Sequence, residues 1–208
     1  MAAREELKLY FDYKSPFAYL AKDPAFALPD RYAVTLRWIP FVLRIKGKGE
    51  RSIYSEHKAR YSYFDARRWA NARPEPLIVK GPLKVYDSEP ALIGALYAMR
   101  EGFFRAYTDR VYRRFFERAL EIDRRDDVVR AIDELAAEGR TRASGVSGEG
   151  YLAYLDGPGR AAYAACVAEA EADHVFGVPL FLFRDEPFWG HDRLPLLEER
   201  LTAAGLRR

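Results

Sequence analysis

The chain has 208 residues, 49% of them hydrophobic and 31% charged, which suffices for one sizeable core or for a core domain carrying an insertion. Its 34 basic and 31 acidic residues are interspersed, as where Arg124-Arg125 is followed at once by Asp126-Asp127, so the net charge of +3 lends no support to a nucleic-acid or anionic-membrane partner. No apolar stretch approaches the roughly 20 residues needed to cross a bilayer, and the start Met1-Ala2-Ala3-Arg4-Glu5-Glu6 lacks a hydrophobic signal region, so a cytoplasmic location is expected. The single cysteine, Cys166, cannot form an internal disulfide, agrees with a reducing compartment, and is expected to pack in the interior.

Leu7-Lys8-Leu9-Tyr10-Phe11 is short, aromatic and partly alternating, and predicts a strand that ends at the corner Asp12 to Ser15. A helix is predicted from about Pro16. Ser15 suits its N-cap because the hydroxyl accepts from an orphan amide, and Pro16 suits the first helical position because proline lacks the amide that would go unpaired. A helix N-terminus favours negative charge, so this corner can hold a thiolate without supplying a cysteine. Val34-Thr35-Leu36-Arg37-Trp38-Ile39 alternates and is rich in β-branched residues, a second strand ending at Pro40.

From Tyr54 to about Ala70, Ala91 to Arg100, Phe103 to Leu120 and Asp127 to Ala137, apolar residues recur at helical spacing. In the third of these, Phe103, Tyr107, Val111, Phe115 and Leu120 approximate one broad face, the stripe of a bundle core rather than a cofactor box. Gly139 to Gly150 is rich in glycine, serine and arginine, lacks the Gly-Lys-Ser/Thr ending of a phosphate loop, and is predicted to be a connecting loop. After a helix from about Gly159 to His174, Leu180 to Phe183 and Pro187-Phe188-Trp189 form a hairpin candidate about a turn near Arg184-Asp185-Glu186. A last helix runs from about Leu194 to Leu201, with Asp192 near its positive end. The three histidines, His57, His174 and His191, show no paired ligand spacing, and no metal is expected.

A β-α-β start and a β-β-α finish with a proline opening the third strand look like a thioredoxin fold, here residues 5–45 and 165–208, with an all-helical domain inserted at 46–164. Three blocks carry a more specific resemblance: Phe11-Asp12-Tyr13-Lys14-Ser15-Pro16-Phe17-Ala18-Tyr19-Leu20-Ala21, Lys58 through Ala70, and Phe176-Gly177-Val178-Pro179-Leu180-Phe181 with Phe188-Trp189-Gly190-His191-Asp192-Arg193-Leu194. Together they resemble 2-hydroxychromene-2-carboxylate isomerases, relatives of kappa-class glutathione transferases and, more distantly, of DsbA oxidoreductases.

The resemblance implies a glutathione cofactor, a small aromatic substrate and a site assembled from both ends of the chain. A DsbA enzyme would carry Cys-Pro-x-Cys where this chain has Ser15-Pro16-Phe17-Ala18, so dithiol exchange is excluded at this corner and the thiol must come from the cofactor. Ser15 would stabilise the glutathione thiolate, or serve simply as a cap. Pro179 would be cis and present the backbone of Val178 to the cysteinyl portion of the tripeptide, as in strand addition. Asp192 would bind the γ-glutamyl amino group, and Arg193 a carboxylate of the tripeptide or a structural partner.

The family's asparagine after the second strand is absent. In its place stands Lys46-Gly47-Lys48-Gly49-Glu50-Arg51, where Lys48 or Arg51 would substitute, and Lys80 to Asp87 also departs from the usual segment. His191, beside Asp192, stands where the family often has another polar residue and is read either as facing the site or as a surface histidine. The implied activity is glutathione-assisted isomerisation of a hydroxychromene carboxylate. A kappa-type transferase or peroxidase, and a thioredoxin-fold module that binds thiols or peptides without catalysis, are the alternatives. Relatives of this kind form homodimers, for which aromatic helices such as Phe103 to Phe116 offer a contact.

Overall fold

The structure, a computed structural model, describes residues 4–42, 53–141 and 143–208, with the backbone alone at 53–56. Strand β1 (Glu5–Phe11) leads into helix α1 (Pro16–Arg31) and strand β2 (Val34–Pro40). Helices α2 (Ile53–Asn71), α3 (Glu89–Arg100), α4 (Phe104–Glu117), α5 (Arg125–Ala137), α6 (Gly148–Asp156) and α7 (Pro158–Ala172) follow. Strands β3 (Leu180–Phe183) and β4 (Glu186–Trp189), a 3-10 turn over His191–Arg193 and helix α8 (Leu194–Ala203) complete the chain. The sheet order is β2-β1-β3-β4; β1 runs parallel to β2 and antiparallel to β3, and β3 and β4 pair as a hairpin. This is the thioredoxin-like arrangement expected from the two chain ends, with helices between them.

Alternation along β1 divides the interior in two. Leu7, Leu9 and Phe11 point into the main core with α1 and the middle helices, each fully buried or nearly so, and each such side chain contributes about 1.5–3 kcal/mol. Tyr10 faces the other way, into a smaller cluster with Ile39, Val178, Leu180 and Ala170 of α7. On that second face Lys8 binds Asp173 at 2.6 Å and Glu169 at 2.9 Å, Tyr10 donates to Asp173, and Arg37 pairs with Glu169. Burial pushes both carboxyls up, but the hydrogen bonds from Lys8, joined by Tyr10 on Asp173 and Arg37 on Glu169, outweigh it and leave both below the usual carboxylate range.

Helix α1 carries two internal prolines, Pro24 and Pro29. Pro24 cannot donate to the Leu20 carbonyl one turn back, and the Arg73 guanidinium supplies that bond instead at 3.1 Å. Along α4 and its flanks, the stripe read from the sequence is core: Phe103, Tyr107, Val111, Phe115 and Leu120 are buried. Tyr107 donates to the Ala91 carbonyl across Gly94, where a β-carbon would overlap the phenol.

Two expectations change. Helix α4 stops at Glu117, short of Leu120, because Arg118 turns left-handed at φ 62° and caps the Arg114 and Phe115 carbonyls. The predicted loop from Gly139 to Gly150 contains the start of α6, capped by Ser147, whose hydroxyl accepts from the Gly150 amide at 3.1 Å. Glycines 148, 150 and 157 concealed this helix; Gly148 stands there because a β-carbon would collide with Val129.

Candidate active site at the serine corner

The corner between β1 and α1 is tied from several directions. Ser15 N–H donates to the Asp12 carbonyl at 3.0 Å, and the Lys14 amide to the Asp12 carboxylate at 3.0 Å. From the helical part, Tyr112 of α4 donates to the Asp12 carbonyl and Tyr63 of α2 to the Lys14 carbonyl, both at 3.3 Å. Below them, the buried Tyr13 and Thr108 hydroxyls bond at 3.0 Å. Five hydrogen bonds thereby fix one four-residue turn.

Ser15 is 3% exposed, extended at φ −83° and ψ 114°, and caps α1 by accepting from the Ala18 amide at 3.2 Å. Its hydroxyl proton is directed to the Val178 carbonyl at 3.1 Å, so one side chain joins the two ends of the chain. Among the described residues the Phe17 and Val178 amides have no hydrogen-bond partner. The Val178–Pro179 peptide bond is cis. With its carbonyl taken by Ser15, Val178 has its amide left to offer a ligand.

Val178, Pro179, Asp192 and Arg193 line one cleft of about 230 Å³ together with the rings of Phe17, Trp69, Trp189 and His191. Ser15 stands behind Val178 rather than in the lining, and Lys48 and Arg51 lie outside the described residues. Gly190, at φ 113°, lets the chain turn from β4 into the 3-10 segment while its amide returns to the Pro179 carbonyl at 2.9 Å. A β-carbon at Gly190 would overlap the Asp192 carboxylate. Asp192 and Arg193 pair at 2.8 Å, both about half exposed, so water screens the pair and both charges stay within reach of a ligand.

The aromatic rim is the part that sequence reasoning missed. Trp69 and Trp189 are about half exposed, and Phe176 stands edge-on to Trp189 at 5.0 Å. Trp189 in turn covers Gly177, where a β-carbon would come 2.6 Å from the indole nitrogen. Trp69 and Trp189 sit inside two of the blocks that carried the resemblance, so the signal was present but was read as sequence likeness and not as a surface. His191 stacks on Phe17 at 5.3 Å, and burial lowers its pKa, against Asp192 and Asp65, which raise it. Cys166 belongs to the cluster beneath α7, where burial pushes its thiol up, the opposite of what a reactive cysteine needs.

Relatives of the whole chain are known. It is 28% identical to a 2-hydroxychromene-2-carboxylate isomerase from Sphingobium xenophagum over 94% of this chain and 97% of that protein. To an isomerase of the same name from Pseudomonas putida it is 29% identical over 92% of both chains. A solved 2-hydroxychromene-2-carboxylate isomerase structure superimposes with a TM-score of 0.74 at 27% identity, covering 96% of this chain and 95% of that one. The resemblance read from the serine, proline and Asp-Arg blocks is thus borne out along the full length. With residues 6–202 matching the model of the DSBA-like thioredoxin domain, the chain belongs to the DSBA-like thioredoxin family.

Proposed function

We propose that this protein is a glutathione-dependent isomerase that converts a hydroxychromene carboxylate, or a related aromatic enone, between its cis and trans forms. The observation that carries the reading is the Ser15 hydroxyl, which sits at the N-terminus of α1 and reaches the backbone beside Pro179. The support for an isomerase role comes from relatives of that name aligned over more than nine-tenths of both chains.

The residues present fit the tripeptide. The unpaired Val178 amide is placed for backbone addition by an extended cysteinyl segment, and the unpaired Phe17 amide with the α1 dipole favours a negatively charged sulfur. Asp192 and Arg193 offer opposite charges to a zwitterion. Glutathione, when bound, would supply a nucleophilic thiolate for reversible addition to a conjugated substrate. Ser15, at the N-terminus of α1 and bonded to the Val178 carbonyl beside the cis-proline, would help hold that charge. Asp192 and Arg193 hold the ends of the tripeptide while Phe17, Trp69 and Trp189 exclude water from the reacting carbons.

The test is turnover of 2-hydroxychromene-2-carboxylate followed by absorbance with and without glutathione. Conversion that requires glutathione supports the reading; absence of any glutathione-dependent conversion of this or other aromatic enones overturns it.

A further inference from the structure

Asp12 is a fully buried carboxylate three residues before Ser15, on the turn whose Ser15 amide returns to the Asp12 carbonyl at 3.0 Å. Such a turn brings its two ends to within about 7 Å, so the carboxylate shares the corner with any sulfur held at Ser15. Helix α1 carries no acidic residue in its first turn, which leaves its positive end to an anion from outside. Asp12 places a negative charge behind that end, and two anions this close oppose one another.

Lys14 answers the carboxylate twice. Its amide donates to one Asp12 oxygen at 3.0 Å, and its ammonium, on a side chain only 18% exposed, stands 3.6 Å from the other. From the elements packed on the turn, Tyr63 of α2 and Tyr112 of α4 reach its backbone, and Tyr13 lies within it on Thr108 of α4. Burial, with the Asp12 charge adding to it, pushes all three phenols up, so they stay neutral near pH 7. Asp109 of α4, whose charge also acts on Tyr13, is paired with Lys22.

We infer that Lys14 is a positioning residue of the serine corner that acts through Asp12: its ammonium counters the buried carboxylate, so that the positive end of α1 sets the charge of a thiol held at Ser15. For the identity of that thiol the inference rests on the proposed glutathione reading; for the field at the corner it rests on Asp12 and Lys14 alone. Across about 7 Å at the effective permittivity of a protein, one uncompensated charge moves a neighbouring pKa by about one unit or more. Loss of either partner therefore shifts the thiol, in opposite directions, and loss of both leaves it nearly where it was.

The experiment places a thiol at the corner of the full chain, Ser15→Cys with Cys166→Ala so that no other cysteine is present, and follows its alkylation by iodoacetamide against pH. The expected midpoint lies below the value of about 8.5 for a free thiol. Lys14→Met raises it by about one unit, Lys14→Arg keeps it within about 0.3 unit, and Asp12→Asn lowers it by about one unit. Asp12→Asn combined with Lys14→Met returns it to within about 0.3 unit of the parent, whereas a pair that only braces the turn shifts the double variant at least as far as either single one. A Lys14→Met midpoint within about 0.3 unit of the parent overturns the inference. So does a parent midpoint that is not lowered, an Asp12→Asn midpoint that does not fall, or a double variant displaced as far as the single ones. If Lys14→Met fails to fold, Lys14→Gln takes its place. The introduced thiol needs no cofactor, and this separates the two ideas. A Lys14-dependent midpoint with no glutathione binding by the wild type overturns the thiol reading alone, and glutathione binding with a Lys14-independent midpoint overturns this inference alone.

Discussion

Replacing Ser15 by alanine removes two hydrogen bonds with different consequences. The first is the α1 cap, worth about 0.5–2 kcal/mol when a serine at this position becomes alanine. The second leaves the Val178 carbonyl without its donor, and an unsatisfied buried acceptor costs about 1–3 kcal/mol. Because Val178 borders a cleft that water enters, the lower part of that range applies, and the sum comes to about 1.5–3 kcal/mol. For a chain of this length that is a fall of roughly 3–12 °C in Tm.

Ser147 provides an internal control. It caps α6 in the same way but its hydroxyl makes no second bond among the described residues, so Ser147→Ala carries the cap term alone, about 0.5–2 kcal/mol. Urea and thermal unfolding of the two variants, followed by circular dichroism, should place Ser15→Ala below Ser147→Ala by about 1 kcal/mol or more. Equal stability of the two variants would refute the claim that Ser15 clamps the cap to the Val178 backbone, and with it the geometry on which the site is built.

Other consequences follow from the same contacts. Arg73→Met should cost about 1–3 kcal/mol in urea unfolding, because the Leu20 carbonyl opposite Pro24 loses its donor; an unchanged midpoint would show that water replaces the guanidinium. Gly190→Ala should destabilise by about 1–3 kcal/mol from its positive φ and the clash with Asp192, and should weaken glutathione binding in calorimetry more than Gly205→Ala, whose φ is also positive at 73° but which has open space around it. The lowered carboxyls of Glu169 and Asp173 contribute stability that is fully present above their unfolded values, near 4.5 and 3.8, and is lost as pH falls through the lower folded values. Lys8→Met should therefore flatten the fall of the urea midpoint below about pH 4.5, and an unchanged slope would contradict the assigned pairing.

The sequence showed the fold wherever local chemistry and burial agree. Ser15 and Pro16 marked the start of α1 because capping is decided within one turn, and the alternation of Leu7, Leu9 and Phe11 marked β1 because one face is wholly core. Helix α6 stayed hidden because Gly148 answers to close packing against α5 and Gly150 against Tyr97 of α3, tertiary demands that local propensity cannot express. The same distinction runs through the site. Val178, Pro179, Asp192 and Arg193 were legible as motifs and do line one cleft, whereas Trp69 and Trp189 became neighbours only when α2 met the β4 turn. His191 could be read as a surface residue because nothing in the chain near it reveals Phe17 above its ring or the unpaired nitrogen at its edge.

The central proposal, a borrowed sulfur held as thiolate at the serine corner, is tested most directly by titrating the glutathione thiol on the protein. Thiolate absorbance is followed against pH in wild type and Ser15→Ala, with protein in excess of the tripeptide. The account predicts a midpoint below the value of about 8.5 for a free thiol, moving back toward it in Ser15→Ala. A midpoint unmoved by the wild-type protein, or lowered equally by both, would contradict it.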